Sequence, residues 1–157
     1  MLFLICQSEN ERYAVPCDRV VEVLPLVPVH RVASPCPALA GVLQYRGVTV
    51  PVLDLCLLTS GRPAAARLST RIILINSVSG AGGEQLLGLM AEQATETARI
   101  PDELFQRVER GLPSAATHSG PVAWDSRGVI RRLEPSALAA LVSAGLPTLD
   151  PGEALAP

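Results

Sequence analysis

The 157-residue chain carries 13 basic and 15 acidic side chains for a net charge of -2, with no block of like charge, which argues against an electrostatic nucleic-acid binder. Its apolar fraction is 48% but aromatics supply only 3%, so a core sized for one domain must be built from Val, Leu, Ile and Ala. Fourteen prolines and twelve glycines favour many short strands with frequent turns.

The first apolar run, residues 2–6, has no basic residue ahead of it and passes straight into QSENER. It is too short for a membrane span and wrongly flanked for a signal peptide, so it reads as a strand of a cytosolic protein. Residues 13–17 alternate weakly and meet Pro16, as an edge strand does. Asp18 can cap a brief helical turn, while Val20, Val21 and Val23 favour extended chain. The segment is therefore predicted to turn within residues 18–21 and to enter a strand at about Glu22. This presents Val20 at the edge of a seam with Val23, and leaves Glu22 either to water or to a partner. Pro25, Pro28, Pro35 and Pro37 exclude regular helix, and residues 25–37 are predicted to be a connector laid over a barrel surface.

GVLQYRGVTVPVLDL, residues 41–55, reads as a hairpin with Arg46-Gly47 at its tip. A tip built only for stability favours Asn-Gly or Asp-Gly, because those residues tolerate positive φ. An arginine there presents a fork of donors, and it is either a solvated or salt-bridged tip or a contact for something that approaches. A polar loop over 59–69 leads to a central-strand candidate at 71–77, then the turn SGAGGE and two strand candidates at 86–90 and 95–100. One or two helical turns are expected within 101–110 and a loose loop over 111–121. Residues 122–124 and 129–133 form a second hairpin around Asp125-Ser126-Arg127-Gly128, with Arg131, Arg132 and Pro135 weakening its second strand. Ser136 is the expected N-cap of a short helix at 137–143, ended by Gly145 and Pro147. That defines one domain over 1–147 and a mobile tail over 148–157.

Set side by side, residues 13–26 and 87–100 match at a constant offset of 74, pairing Asp18 with Glu92 and Glu22 with Glu96. Gly41…Arg46-Gly47-Val48 corresponds loosely to Gly120…Arg127-Gly128-Val129. Two copies of a small β unit, each too poor in apolar residues to stand alone, should pack along a shared seam, and seams of this kind tend to carry binding grooves.

The chain is thin in catalytic constellations. No serine sits in a nucleophile elbow, and the glycines of 80–83 join strand candidates rather than opening a phosphate-binding helix. Asp54 and Glu134 fall at related places in the two repeats and are either an acid/base pair or strand-end caps. Cys6, Cys17, Cys36 and Cys56 form no CxxC pair, and His30 and His118 show no ligand spacing. The cysteines are either buried small hydrophobes or a thiol-based redox or metal sensor. No enzyme activity, cofactor or metal is expected.

ERYAVPCDRVVEVL at residues 11–24, LAGVLQYRGVTVPVLDL at 39–55, and the later RIILI and LLGLMAEQATETARI segments together resemble the CheW-like domain family of bacterial chemosensory signalling. The resemblance covers about residues 1–144. It implies a mainly all-β fold of two intertwined five-stranded SH3-like barrels sharing a core, with short helical turns and a short C-terminal helix. It further implies an adaptor that couples the signalling tip of a methyl-accepting chemoreceptor to a CheA-type histidine kinase at the inner face of the membrane. By the same resemblance Val20, Glu22 and Val23 would belong to the receptor-contacting element, and Arg46-Gly47 would be the family's RG turn beside it.

Overall fold

The computed structural model describes residues 1–78, 83–107 and 119–145. It begins with a hairpin of β1 (Leu2–Ser8) and β2 (Glu11–Pro16), turned at Glu9 with a φ of 54°. A 3-10 turn over Cys17–Arg19 then carries the chain out of that sheet into β3 (Val20–Pro25). The prolyl connector leads to a second hairpin, β4 (Leu39–Tyr45) and β5 (Val48–Asp54), followed by α1 (Leu55–Ser60).

The second half repeats the series. β6 (Arg71–Val78) pairs with the first part of β7 (Glu84–Arg99), β7 crosses to the other sheet, and β8 (Ser119–Asp125), β9 (Gly128–Leu133) and α2 (Pro135–Gly145) follow. The internal duplication is thus a topological one: hairpin, crossover, hairpin, helix. β5 runs parallel to β7 in the first half, and β9 runs parallel to β2 in the second.

Two five-stranded barrels result, one of β3, β6, β7, β5 and β4 and the other of β7, β1, β2, β9 and β8. They intertwine because each half of the chain gives strands to both. Residues 86–90 and 95–99 of the two strands expected separately belong to the single 16-residue β7, and Ile100 lies just past its end. The strand bends where it changes barrel: Gln93 takes a φ of 51°, the pairing with β1 slips between Ile5 and Gln7, and the Ala94 amide donates to the Ser69 carbonyl at 3.1 Å.

The double barrel explains why LFLIC and RIILI are continuous apolar runs instead of alternating ones. Phe3 and Ile5 fill the second barrel while Leu4 and Cys6, on the opposite face, fill the seam between barrels. Ile72 and Leu74 fill the first barrel while Ile73 and Ile75 fill the seam. Strands buried on both faces need apolar side chains at every position. Leu133, Leu138 and Val142 close the seam from β9 and α2, where they are buried in the same apolar cluster as Leu4, Val15, Ile73 and Ile75. A surface pocket of about 210 Å³ opens between the 3-10 turn and the start of α2, bordered by Pro16, Asp18, Arg19, Ser77, Arg132 and Glu134.

Three sequence expectations change. β2 is an interior strand, lying between β1 and β9; Pro16 is tolerated because it is the last residue, beyond the Arg12–Ala14 stretch that pairs with β9. Residues 55–60 leave the sheet as helix α1, capped by the Asp54 carboxylate on the amides of Cys56 and Leu57 and ended by Gly61 at a φ of 76°. α2 starts at Pro135, ahead of Ser136, since a proline suits the first helical position. The helical turn expected within 101–110 is present as a 3-10 turn over Asp102–Leu104, while residues 108–110 and the tail 148–157 lie outside the described residues.

Arg131 and Arg132 do not break β9, because each has partners on its own face. Arg131 lies 3.8 Å from Glu11. Arg132 lies 3.6 Å from Asp102 and stacks over the rings of Phe3 and Phe105 at 5.3 and 5.8 Å. A stronger pair secures the second hairpin. Arg12 reaches from β2 with a fork of 2.9 and 2.5 Å onto Asp125, whose side chain also accepts the Arg127 amide at 2.8 Å. The Arg12 hydrogen bonds hold the Asp125 carboxyl down from 3.8 to about 2. A depressed carboxyl contributes stability that is complete above its unfolded value and lost as pH falls through its folded one. Asp125→Asn is therefore expected to cost about 1 kcal/mol at pH 7, discounted for the exposure of Asp125. The gap from wild type should shrink as pH falls from about 4 through about 2 in denaturation curves taken along that range; a gap that stays constant over that range would assign the loss to something other than this ion pair.

Candidate partner-binding surface

The two hairpins differ at their tips. In β4–β5, Tyr45 pairs with Val48, so Arg46 and Gly47 are the turn residues, with φ of 48° and 80°. Two consecutive positive φ values are what a two-residue hairpin loop of the primed type requires, and Gly47 meets the requirement freely. Arg46 does not, since a left-handed backbone costs an L-residue about 1 kcal/mol. In β8–β9, Asp125 pairs with Gly128, so the turn is Ser126-Arg127. Arg127 therefore stands one place later in its turn than Arg46 does, and the matched sequence positions are offset in space.

The first barrel is an open roll whose two free edges are β3 and β4. The connector covers part of the β4 edge through two 2.8 Å bonds between His30 and Val42. Nearer the tip a side chain takes over, as the Tyr45 hydroxyl donates to the Glu22 carboxylate across the gap. Arg46 lies over the Tyr45 ring with its guanidinium carbon 5.2 Å from the centroid. The hydrogen bond to Glu22, and secondarily desolvation, raise the Tyr45 pKa, so the hydroxyl remains a donor at neutral pH.

β3 departs from expectation in its faces. The strand begins at Val20, directly after the 3-10 turn at Cys17–Arg19, and a bulge shifts its pairing with β6 between Val20 and Glu22. Val20 is half-buried against the seam core and Leu24 against the first barrel's interior. Val21 and Val23 point outward, 49% and 39% exposed, and Val48 beside the hairpin tip is 54% exposed. The apolar side chains face water while Glu22 turns in to Tyr45.

The residue patterns that suggested other chemistry have structural roles. The Asp54 carboxylate accepts three amides, those of Cys56, Leu57 and Ala64, and Glu134 receives the amides of Ala137 and Leu138 on its backbone carbonyl. Each acid starts a helix. Burial pushes the Cys6 thiol up to about 12 and the Cys56 thiol up to about 11, far from the thiolate needed for redox exchange or metal ligation. Among the described residues no three His, Cys, Asp or Glu side chains group as a metal site.

The sequence profile of the CheW-like domain matches residues 2–142, nearly the whole described chain. The chain belongs to the CheW-like domain family. Among solved structures it is similar to the scaffolding protein TtCheW from Thermoanaerobacter tengcongensis, with a TM-score of 0.74 over 87% of this chain and 86% of that one, at 18% identity. No curated protein matches the sequence. No helix among the described residues is long and apolar enough to cross a membrane.

Of the residues expected at the partner-contacting element of this CheW-like domain, the fold brings Glu22, Val23, Arg46 and Gly47 together at one end of the first barrel. Val20 sits behind them, against the core. Tyr45, Val21 and Val48 complete the surface and were not singled out from sequence. Period-two alternation run from Glu22, with the bulge placed correctly, would have put Val21 and Val23 on one face; Tyr45 could have been found only from its contact with an edge strand far along the chain.

Arg46→Asn offers a direct check on why a strained arginine occupies the tip. It relieves the left-handed strain and gives up one exposed cation–π contact, so the variant is expected to be more stable by about 0.5 kcal/mol in chemical denaturation. Any partner binding at this surface, measured on the same sample, should fall. A variant that is destabilised, or that binds as well as wild type, would make Arg46 an ordinary turn residue.

Proposed function

We propose that this CheW-like domain is a non-catalytic chemosensory adaptor that holds a chemoreceptor signalling tip and a CheA-type histidine kinase together at the inner face of the membrane. The observation that carries the reading is that Val21 and Val23 lie exposed on either side of Glu22 in β3, which the Tyr45 hydroxyl joins to the hairpin tip where Arg46 and the exposed Val48 stand. Three valines exposed on ordered strands gain free energy when a partner helix covers them. Arg46 and Glu22 add direction to that contact, and Val20 supports the strand from beneath. The kinase would pack on other edges of the barrels through its own regulatory domain of like fold. Each interface would be modest in area, and simultaneous engagement of several partners would supply the avidity.

The experiment is a co-sedimentation of the purified protein with a receptor-tip fragment and a CheA-type kinase, singly and together. The reading expects both to be retained at once. Retention of neither, or competition between them, would overturn it.

A further inference from the structure

Tyr45 ties together the two charged groups of the surface. β3 is hydrogen-bonded to β6 on one side only, so its other edge near Glu22 is held to the hairpin by the Tyr45 hydroxyl. The same ring lies beneath Arg46. Among the described residues the Arg46 guanidinium has no carboxylate within 4 Å, so the ring holds the cation without neutralising it.

The second barrel closes the equivalent gap differently. Glu96, which matches Glu22 at the repeat offset, takes the Arg127 guanidinium directly at 2.9 Å, so both charges are satisfied internally. The first barrel interposes a tyrosine between glutamate and arginine, and its tip cation is left available.

We propose that Tyr45 is a positioning residue for partner recognition, fixing Glu22 and Arg46 relative to the valine face so that the surface is already in its binding geometry before the partner arrives. Preorganisation of this kind improves affinity because less side-chain freedom is lost on binding. The inference rests on the adaptor reading and goes beyond it by assigning a role to a residue that contacts the binding groups rather than the partner.

The test is a double-mutant cycle of Tyr45→Phe and Glu22→Gln, read by titration against a receptor-tip fragment, with chemical denaturation and kinase binding followed on the same samples. Tyr45→Phe keeps the ring under Arg46 and removes only the hydroxyl. It is expected to bind the tip about fivefold more weakly, with unchanged kinase binding and an unchanged denaturation midpoint. In the Glu22→Gln background it should add less than it does in wild type, because the neutral amide oxygen is a weaker acceptor for the hydroxyl than the carboxylate. Wild-type affinity for Tyr45→Phe, full multiplication of the two effects, or a loss shared by the kinase would overturn the role. Failure of the wild-type protein to bind the tip at all would instead remove the adaptor reading, and that result is seen before any variant is compared.

Discussion

Gly41→Ala is expected to cost about 3 kcal/mol or more, while Gly120→Ala, at the matched position of the second repeat, should cost less than about 1 kcal/mol. Gly41 has a φ of 151°, and an added Cβ would lie 2.1 Å from the carbonyl oxygen of His30 and 2.7 Å from its carbonyl carbon. Those are backbone atoms, and the two 2.8 Å bonds between His30 and Val42 hold them in place. Relief requires the connector to peel from β4, which forfeits both bonds and uncovers the edge. At Gly120 the obstructing atoms belong to the Glu134 side chain, 40% exposed and free to swing away. Urea denaturation of the two variants decides the matter; similar losses would show that the connector yields as easily as a side chain does.

The second large effect separates Val20 from its neighbours. Val20→Lys should destabilise the fold by about 2 kcal/mol, because the new ammonium must leave the seam core against which Val20 packs. Val23→Lys and Val21→Lys put the charge in water and should change stability by no more than about 0.5 kcal/mol. On binding, the order reverses. A lysine at Val23 would have to be desolvated under the partner, weakening a receptor-tip complex at least about tenfold, or 1.4 kcal/mol. Denaturation and titration on the same three variants give the answer. If Val20→Lys binds worst and unfolds normally, the recognition face lies toward the seam and the outward valines are incidental.

Much of the fold was legible because its periodicities are local. The runs at 2–6 and 71–77, the RG hairpin and the second hairpin all appear where the apolar pattern puts them, and the offset of 74 correctly announced a repeated unit. What local pattern could not convey was continuity. Gln93-Ala94-Thr95 reads as a break in apolar residues, yet β7 runs through it because the neighbours change from one barrel to the other at that point. The α1 helix hid behind VPVLDL, although Asp54 and Gly61 stand at the cap positions of a six-residue helix. The candidate surface was half legible. Glu22, Val23 and Arg46, named from the family resemblance, lie together at the candidate surface, but which face of β3 each takes depends on a bulged register that local pattern does not reveal.

Because β7 is a member of both barrels, this protein has no elbow. Two modules joined by a linker can rotate independently, and force applied to one is lost in the joint. Here a partner that tilts the first barrel tilts the second through sixteen residues of continuous backbone, with Ala94 further tied to Ser69 at the bend. An adaptor made this way transmits orientation as a solid bracket does, and neither half can be trimmed away to leave the other standing.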